Sequence, residues 1–363
     1  MDHRRISARI SAIVFLTILL SPGATNADKA DWPEGPGLAA QYPGDRGIAE
    51  DPNIILVENF DHGAMRQLRD RWSDIKNPEG ISFSDDIPPG SAGRRSLRMD
   101  AKRGQDTGAH LFTRILPGYD EVYARFYVKF AADHGFLHHF VGLGGAIDPP
   151  AWPTGGAGLR PENAFNTGIE PTRGSYQRYP PTFFDPPGIW HFYTYWQHMR
   201  SWQNEDGTGN SFFGNNFEPR EPVLVPRDQW VCVEMMIRMN SELEASDGAQ
   251  AFWIDGKLVG PFGPDDAMGY FLRENFIYSD DPERASPLPG FQWRSDPRLN
   301  INKFFLSYYM SERAFEQSDR YASDNPDAVI NTQTGSVWFD HIVLARQYIG
   351  PIQPAPAGGG DEQ

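Results

Sequence analysis

Ten strand-like segments with no sustained helical period between them constrain this chain most. Apolar, β-branched and aromatic residues cluster over 53–60, 95–100, 109–116, 121–130, 136–145, 190–199, 230–239, 250–260, 301–310 and 336–350. Only 64–72 and 311–322 have the spacing of short helices. Successive strands without crossover helices pair antiparallel. The pattern therefore predicts an all-β protein, an antiparallel two-sheet jelly-roll sandwich with long loops. Asp255-Gly256, between apolar runs, is a two-residue hairpin turn. Thirty-six Gly, 31 Pro and 13% aromatic residues suit many turns and many packed rings.

The ends read differently. Arg4, Arg5 and Arg9 precede an apolar run from Ile10 to Leu20 and then small residues ending at Thr25-Asn26-Ala27. That is the pattern of a signal peptide over 1–27. The run is too short for the roughly 20 residues that span a bilayer, so no membrane span is expected once 1–27 is removed. A secreted or periplasmic location follows. Residues 28–52, rich in Gly, Pro, Asp and Ala, read as a flexible N-terminal arm. A single domain is expected over 53–350, and 351–363 reads as a disordered tail. Net charge is −15, and −17 without the leading segment. Such a chain repels nucleic acid and anionic membranes, so neither is an expected partner. The lone cysteine, Cys232, sits in an apolar strand pattern and reads as a buried small hydrophobe.

Alternation assigns faces. In 121–130, Val122, Ala124, Phe126, Val128 and Phe130 form one side. Glu121, Tyr123, Arg125, Tyr127 and Lys129 form the other. In 189–198, Trp190, Phe192, Thr194, Trp196 and His198 alternate with Ile189, His191, Tyr193, Tyr195 and Gln197. Both strands thus carry one apolar side and one of rings and polar groups. Two such sides predict a sheet surface that grips something flat and hydroxylated, with Arg125, Tyr127, His191 and Gln197 as binding residues. The bland alternative for Tyr193 and Tyr195 is an aromatic cross-strand ladder.

The "YARFYVKF" strand, the "GLGG" segment, Tyr193-Thr194-Tyr195, the "WIDGKLV" hairpin and the closing "VWFDHIVLA" resemble the concanavalin A-like jelly-roll polysaccharide lyases. The nearest are the alginate and glucuronate lyases of polysaccharide lyase family 14. The resemblance implies an acidic polysaccharide as partner and cleavage by β-elimination. It also marks departures. The family's lysine-bearing "GGKLPG" segment is replaced by a stretch holding His138 and His139. Its Ser-x-Arg pair is replaced by Asn166 and Glu170, after a long insertion.

β-Elimination needs a base for the proton next to the carboxylate, a proton for the leaving oxygen, and cations or donors around the carboxylate. Tyr193, Tyr195, His138 and His139 are the catalytic candidates. Arg160, Asn166, Glu170 and His191 join the binding candidates. Four of nine histidines fall within 138–200, along with Arg160, Arg173, Arg178 and Arg200. Alternation places His138 beside Phe136 and Phe140, and His139 beside Leu137 and Val141, so it does not choose between them. Tyr176, Tyr179, Phe183 and Phe184 suggest a sugar-stacking lid. No cofactor is called for, although "SDDIPPG" (84–90) has the oxygens to help hold a structural Ca2+. Histidine spacing gives no zinc motif. The alternatives are a non-catalytic lectin-like carbohydrate-binding protein and a glycoside hydrolase on the same scaffold. The hydrolase needs two carboxylates, for which Glu170 and Glu234 are the candidates.

Overall fold

A computed structural model describes residues 32–105, 107–150, 157–177 and 181–354. The expected signal segment, Arg178, Tyr179 and the tail from 355 lie outside the described residues. Two large sheets make a β-sandwich. The eight-stranded sheet runs in the order Lys257–Phe262, Ala249–Ile254, Trp230–Arg238, Glu121–Phe130, Thr334–Ala345, Ser96–Lys102 and Ile81–Ser84. Ile54–Glu58 also pairs with Thr334–Ala345. The centre of the ten-stranded sheet runs Asn215–Phe217, Ile189–Tyr195, Ala164–Thr172, Val141–Ala146, Ile301–Ser307, His110–Tyr119. Its sandwich partner is reached by rings: Phe192 of one sheet meets Phe252 and Phe262 of the other, at centroid separations of 5.1 and 6.3 Å.

The inward faces are those alternation predicts. Val122, Ala124, Phe126, Val128 and Phe130 are buried in the main core, as are Trp190, Phe192 and Trp196. Burying each such side chain contributes about 1.5–3 kcal/mol. Thr167 and Thr194 are the polar exception. Their hydroxyls pair at 2.8 Å, and Thr167 donates to Gln250 Oε1 of the opposite sheet at 2.8 Å. The hairpin turn is as expected, with positive φ at both Asp255 (49°) and Gly256 (78°). The helices are Met65–Arg71 and Glu312–Asp324, the second N-capped by the Ser311 side chain.

Residues 32–52, expected as a flexible arm, lie against the eight-stranded sheet. Leu38, Ala39 and Ile48 are buried. Leu38 and Ala39 donate backbone bonds to Tyr348 and Ile349, and Gly44 donates to Gln353. Residues 38–44 and 348–353 thus brace each other across the sheet's outer face. Of the strands the sequence pattern does not show, the one that matters for the site is Ala164–Thr172. Gly168 and Pro171 break its pattern, yet Pro171 fits because pairing with the 141–146 strand stops at Ile169, leaving one side of 170–172 open. No helix among the described residues is long and apolar enough to cross a membrane.

Candidate active site

The pairing registers of the ten-stranded sheet set the site. Residues directly opposite on neighbouring strands point to the same side. One row crosses four strands as Lys303, Gly144, Asn166 and Tyr195. The next row is Phe305, Gly142, Gly168, Tyr193 and Asn216. Glycines therefore form the middle of a floor, with Lys303 at one side and the two phenols at the other. At about 4.8 Å per strand, the row from Lys303 to Tyr195 spans roughly 14 Å between Cα atoms. That leaves room for one six-membered ring over the glycines between two long side chains. A cleft of about 490 Å³ opens there, lined among others by His139, Asn166, Glu170, Tyr193, Tyr195 and Lys303. A second cleft of about 460 Å³ shares His139, Glu170 and Tyr193 with it and adds His138, His191 and Arg173.

The phenols stand edge to face at 5.6 Å. Burial raises the pKa of both above the ordinary phenol value. The Tyr193 hydroxyl bonds to that of Tyr195, which raises Tyr193 further and lowers Tyr195, and the Gly214 backbone N–H lowers both. Tyr195 is therefore the readier of the two to ionise. Gly214 is required to be glycine, since a Cβ there would lie 2.5 Å from the Tyr193 ring.

Glu170 is buried and anchors the histidines. Its Oε2 is 3.2 Å from His139 Nδ1 and accepts from the Phe140 backbone N–H at 3.3 Å. Desolvation opposes a charged His139, but the Glu170 carboxylate outweighs it and raises the imidazole pKa. His138 stacks on His139 at 4.2 Å and on Tyr309 at 5.2 Å. Desolvation, then the His139 charge, lower the His138 pKa, so the stack favours a single cation on His139. His191 is buried, with Nδ1 2.9 Å from the Glu170 carbonyl and Nε2 3.2 Å from Asn216 Oδ1. Those two contacts tie its ring to both neighbouring strands.

Lys303 has no hydrogen bond or ion pair among the described residues. Burial pushes its ammonium pKa down to about 8. Its signal was in the sequence: Ile301, Lys303, Phe305, Ser307 and Tyr309 alternate along one side of the 301–310 segment. That face holds a lone cation among rings, the pattern that marked Tyr193 and Tyr195.

No family model matches the chain, and no curated protein matches it significantly. Solved structures similar to it include the alginate lyase vAL-1 from Chlorella virus, at 11% identity and TM-score 0.49, covering 81% of this chain and 100% of that one. The marine PL-14 alginate lyase from Aplysia kurodai aligns at 12% identity and TM-score 0.48, covering 81% and 99%. The endo-β-1,4-glucuronan lyase from the fungus Trichoderma reesei aligns at 15% identity and TM-score 0.42, covering 84% and 100%.

Of the residues singled out by sequence, Tyr193, Tyr195, His138, His139, Asn166, Glu170 and His191 come together. His138 and His139 both reach the clefts because 136–140 is not strand; the strand begins at Val141, so alternation does not govern them. Four others are elsewhere. Arg125 and Tyr127 belong to the other sheet. Arg125 is fully buried, ion-paired with Asp45 and donating to the Gly350 and His341 carbonyls. Tyr127 Oη accepts from the Ile352 N–H at 2.9 Å. Neither can touch a ligand in the clefts, because residues 32–52 and 348–354 cover them. Gln197 lies past the end of its strand at Tyr195 and ties to Gln292 and Ser295. Arg160 lies exposed, 4.5 Å over the Phe212 ring, outside the cleft walls.

Glu234 is also on the other sheet, buried and accepting from the Ile349 and Gly350 N–H groups. Glu170 thus has no second carboxylate among the described residues lining the two clefts. In the stretch that suggested Ca2+, Asp86 accepts from Lys129 Nζ and Trp230 Nε1.

Proposed function

We propose that this protein is an exported polysaccharide lyase that cleaves a uronate-containing polymer by β-elimination. The observation that carries the reading is the cross-strand row Lys303–Gly144–Asn166–Tyr195, which sets a cation, an amide and a phenol around a glycine floor. The substrate carboxylate lies toward Lys303, Asn166 and the His139 cation. Charge delocalised onto it in the transition state is stabilised there, in a partly dry cleft. Tyr195 removes the proton from the carbon next to the carboxylate. The electron pair forms the ring double bond as the glycosidic C–O bond breaks, and the leaving oxygen takes a proton from the phenol pair. Without substrate both phenols hold their protons. Tyr195, the readier of the two, releases its proton to solvent before it can act as base, and the His139 cation, whose ring lies 5.3 Å from that of Tyr193, is the charge that favours this. Glu170 keeps His139 charged and oriented.

The test is incubation with alginate, glucuronan and other uronate polymers while following the ultraviolet absorbance of the unsaturated product. New reducing ends without that absorbance would establish hydrolysis instead. Retained binding with neither product would make the protein a lectin-like module.

A further inference from the structure

The second cleft does not end at the histidines. It continues into a third of about 520 Å³, and the two share Phe136, Arg173, Phe183, Arg313 and Gln317 as walls. One wall is the helix Glu312–Asp324. Arg313 and Gln317 are four residues apart on it and so lie on one face. The opposite wall is the short hairpin of Gly174–Ser175 with Thr182–Phe183. The Arg173 guanidinium lies 4.7 Å over the Phe183 ring and 5.9 Å from that of Phe136. Stacking of this kind holds the planar fork in place while leaving its N–H donors available. Phe183 itself is 59% exposed, an apolar ring offered to solvent at the lip of the groove. Among the described residues, neither Arg173 nor Arg313 forms an ion pair. In a chain of net charge −15, the stretch of groove that the two clefts share holds two arginines and no carboxylate, a local reversal of the overall charge.

We propose that Arg173 and Arg313 form a carboxylate-binding subsite for a uronate residue further along the polymer than the one cleaved, with the Phe183 ring as its stacking platform. This rests on the lyase reading above, which supplies the acidic polymer. The subsite explains why the groove is longer than one sugar. The row at Tyr195 handles the reacting residue, and the arginine pair takes a carboxylate displaced along the same groove. Gln317, beside the pair, suits a neighbouring hydroxyl. Asp185 and Asp324 line only the third cleft. Arg320 lines that cleft with them and offsets part of their charge.

The experiment is affinity electrophoresis of the full chain through gels containing glucuronan, alginate or neutral dextran, with unsaturated product measured in parallel. Arg173→Gln and Arg313→Gln are each expected to weaken retention by a uronate polymer about tenfold, the loss of a charge-assisted contact. Added salt should erase the difference, and dextran should not retain any form. Arg69→Gln, on the Met65–Arg71 helix, removes the same charge away from the clefts and should leave retention unchanged. Full retention of the Arg173→Gln/Arg313→Gln double variant, with product still formed, overturns the subsite and leaves the lyase reading standing. Weakened retention of that variant, with no product from the wild type on either polymer, supports the subsite and defeats the lyase reading. No retention of the wild type on either uronate polymer overturns the subsite outright.

Discussion

Two strands of this protein carry the same sequence pattern and meet opposite fates. Glu121–Phe130 and Ile189–Tyr195 both alternate an apolar side with a side of phenols and polar groups. Both apolar sides form the core. The polar side of the first is sealed. Arg125 is fully buried against Asp45, and Tyr127 is capped by the Ile352 backbone. The polar side of the second is open, with Tyr193 and Tyr195 lining a cleft. Alternation tells which side leaves the core. It does not tell what covers that side. Residues distant in sequence decide it, here 32–52 and 348–354.

Altering one polar side chain on each strand sharpens this comparison. Tyr195→Phe should lower kcat about 10²–10⁴-fold, the usual worth of a proton-transfer group, with the unfolding midpoint in urea nearly unchanged. Unaltered kcat would remove Tyr195 from the chemistry. Arg125→Ala should do the reverse. It leaves Asp45 buried without its guanidinium and should cost about 3–5 kcal/mol in urea unfolding. A loss of polymer binding at unchanged stability would instead put Arg125 in the site and break the comparison.

A smaller effect concerns pH. Lys303 must be charged to face a carboxylate. Its fold holds the pKa to about 8 rather than 10.5, so the cation is lost as pH rises through about 8. The value of kcat/KM should therefore fall about tenfold for each pH unit above that point. Lys303→Arg, charged throughout, should abolish this decline if it remains active. A wild-type profile flat to pH 10 would exclude the lysine. The smallest effect is that of Tyr127→Phe. It removes the acceptor of the Ile352 N–H and should cost about 1 kcal/mol of stability, with product formation intact.

Much of the site was legible, and the reasons differ by residue. Tyr193, Tyr195 and His191 follow from one alternating strand. Asn166 and Glu170 follow only from the resemblance, as the residues in place of a Ser-x-Arg pair, because Gly168 and Pro171 hide their strand. Gln197 went wrong because the strand ends two residues before it, a boundary that periodicity leaves open. His138 and His139 could not be separated by alternation, and the bend before Val141 brings both to the groove. Lys303 is hidden in the sequence because alternation puts it on one side with Ile301, Phe305 and Tyr309 but does not tell that this side is open.

The sequence by itself determined the all-β class, the inward faces of the strands, the hairpin at Asp255-Gly256 and the net charge of −15. Each of these depends on residues a few positions apart or on totals. Only the tertiary structure decided that Lys303, Gly144, Asn166 and Tyr195 share one row, that Arg125 is sealed, and that Arg173 and Arg313 line one groove. Those facts depend on strand register and on chain segments far apart in sequence. Backbone hydrogen bonding and core packing fix them together, and no local pattern encodes them.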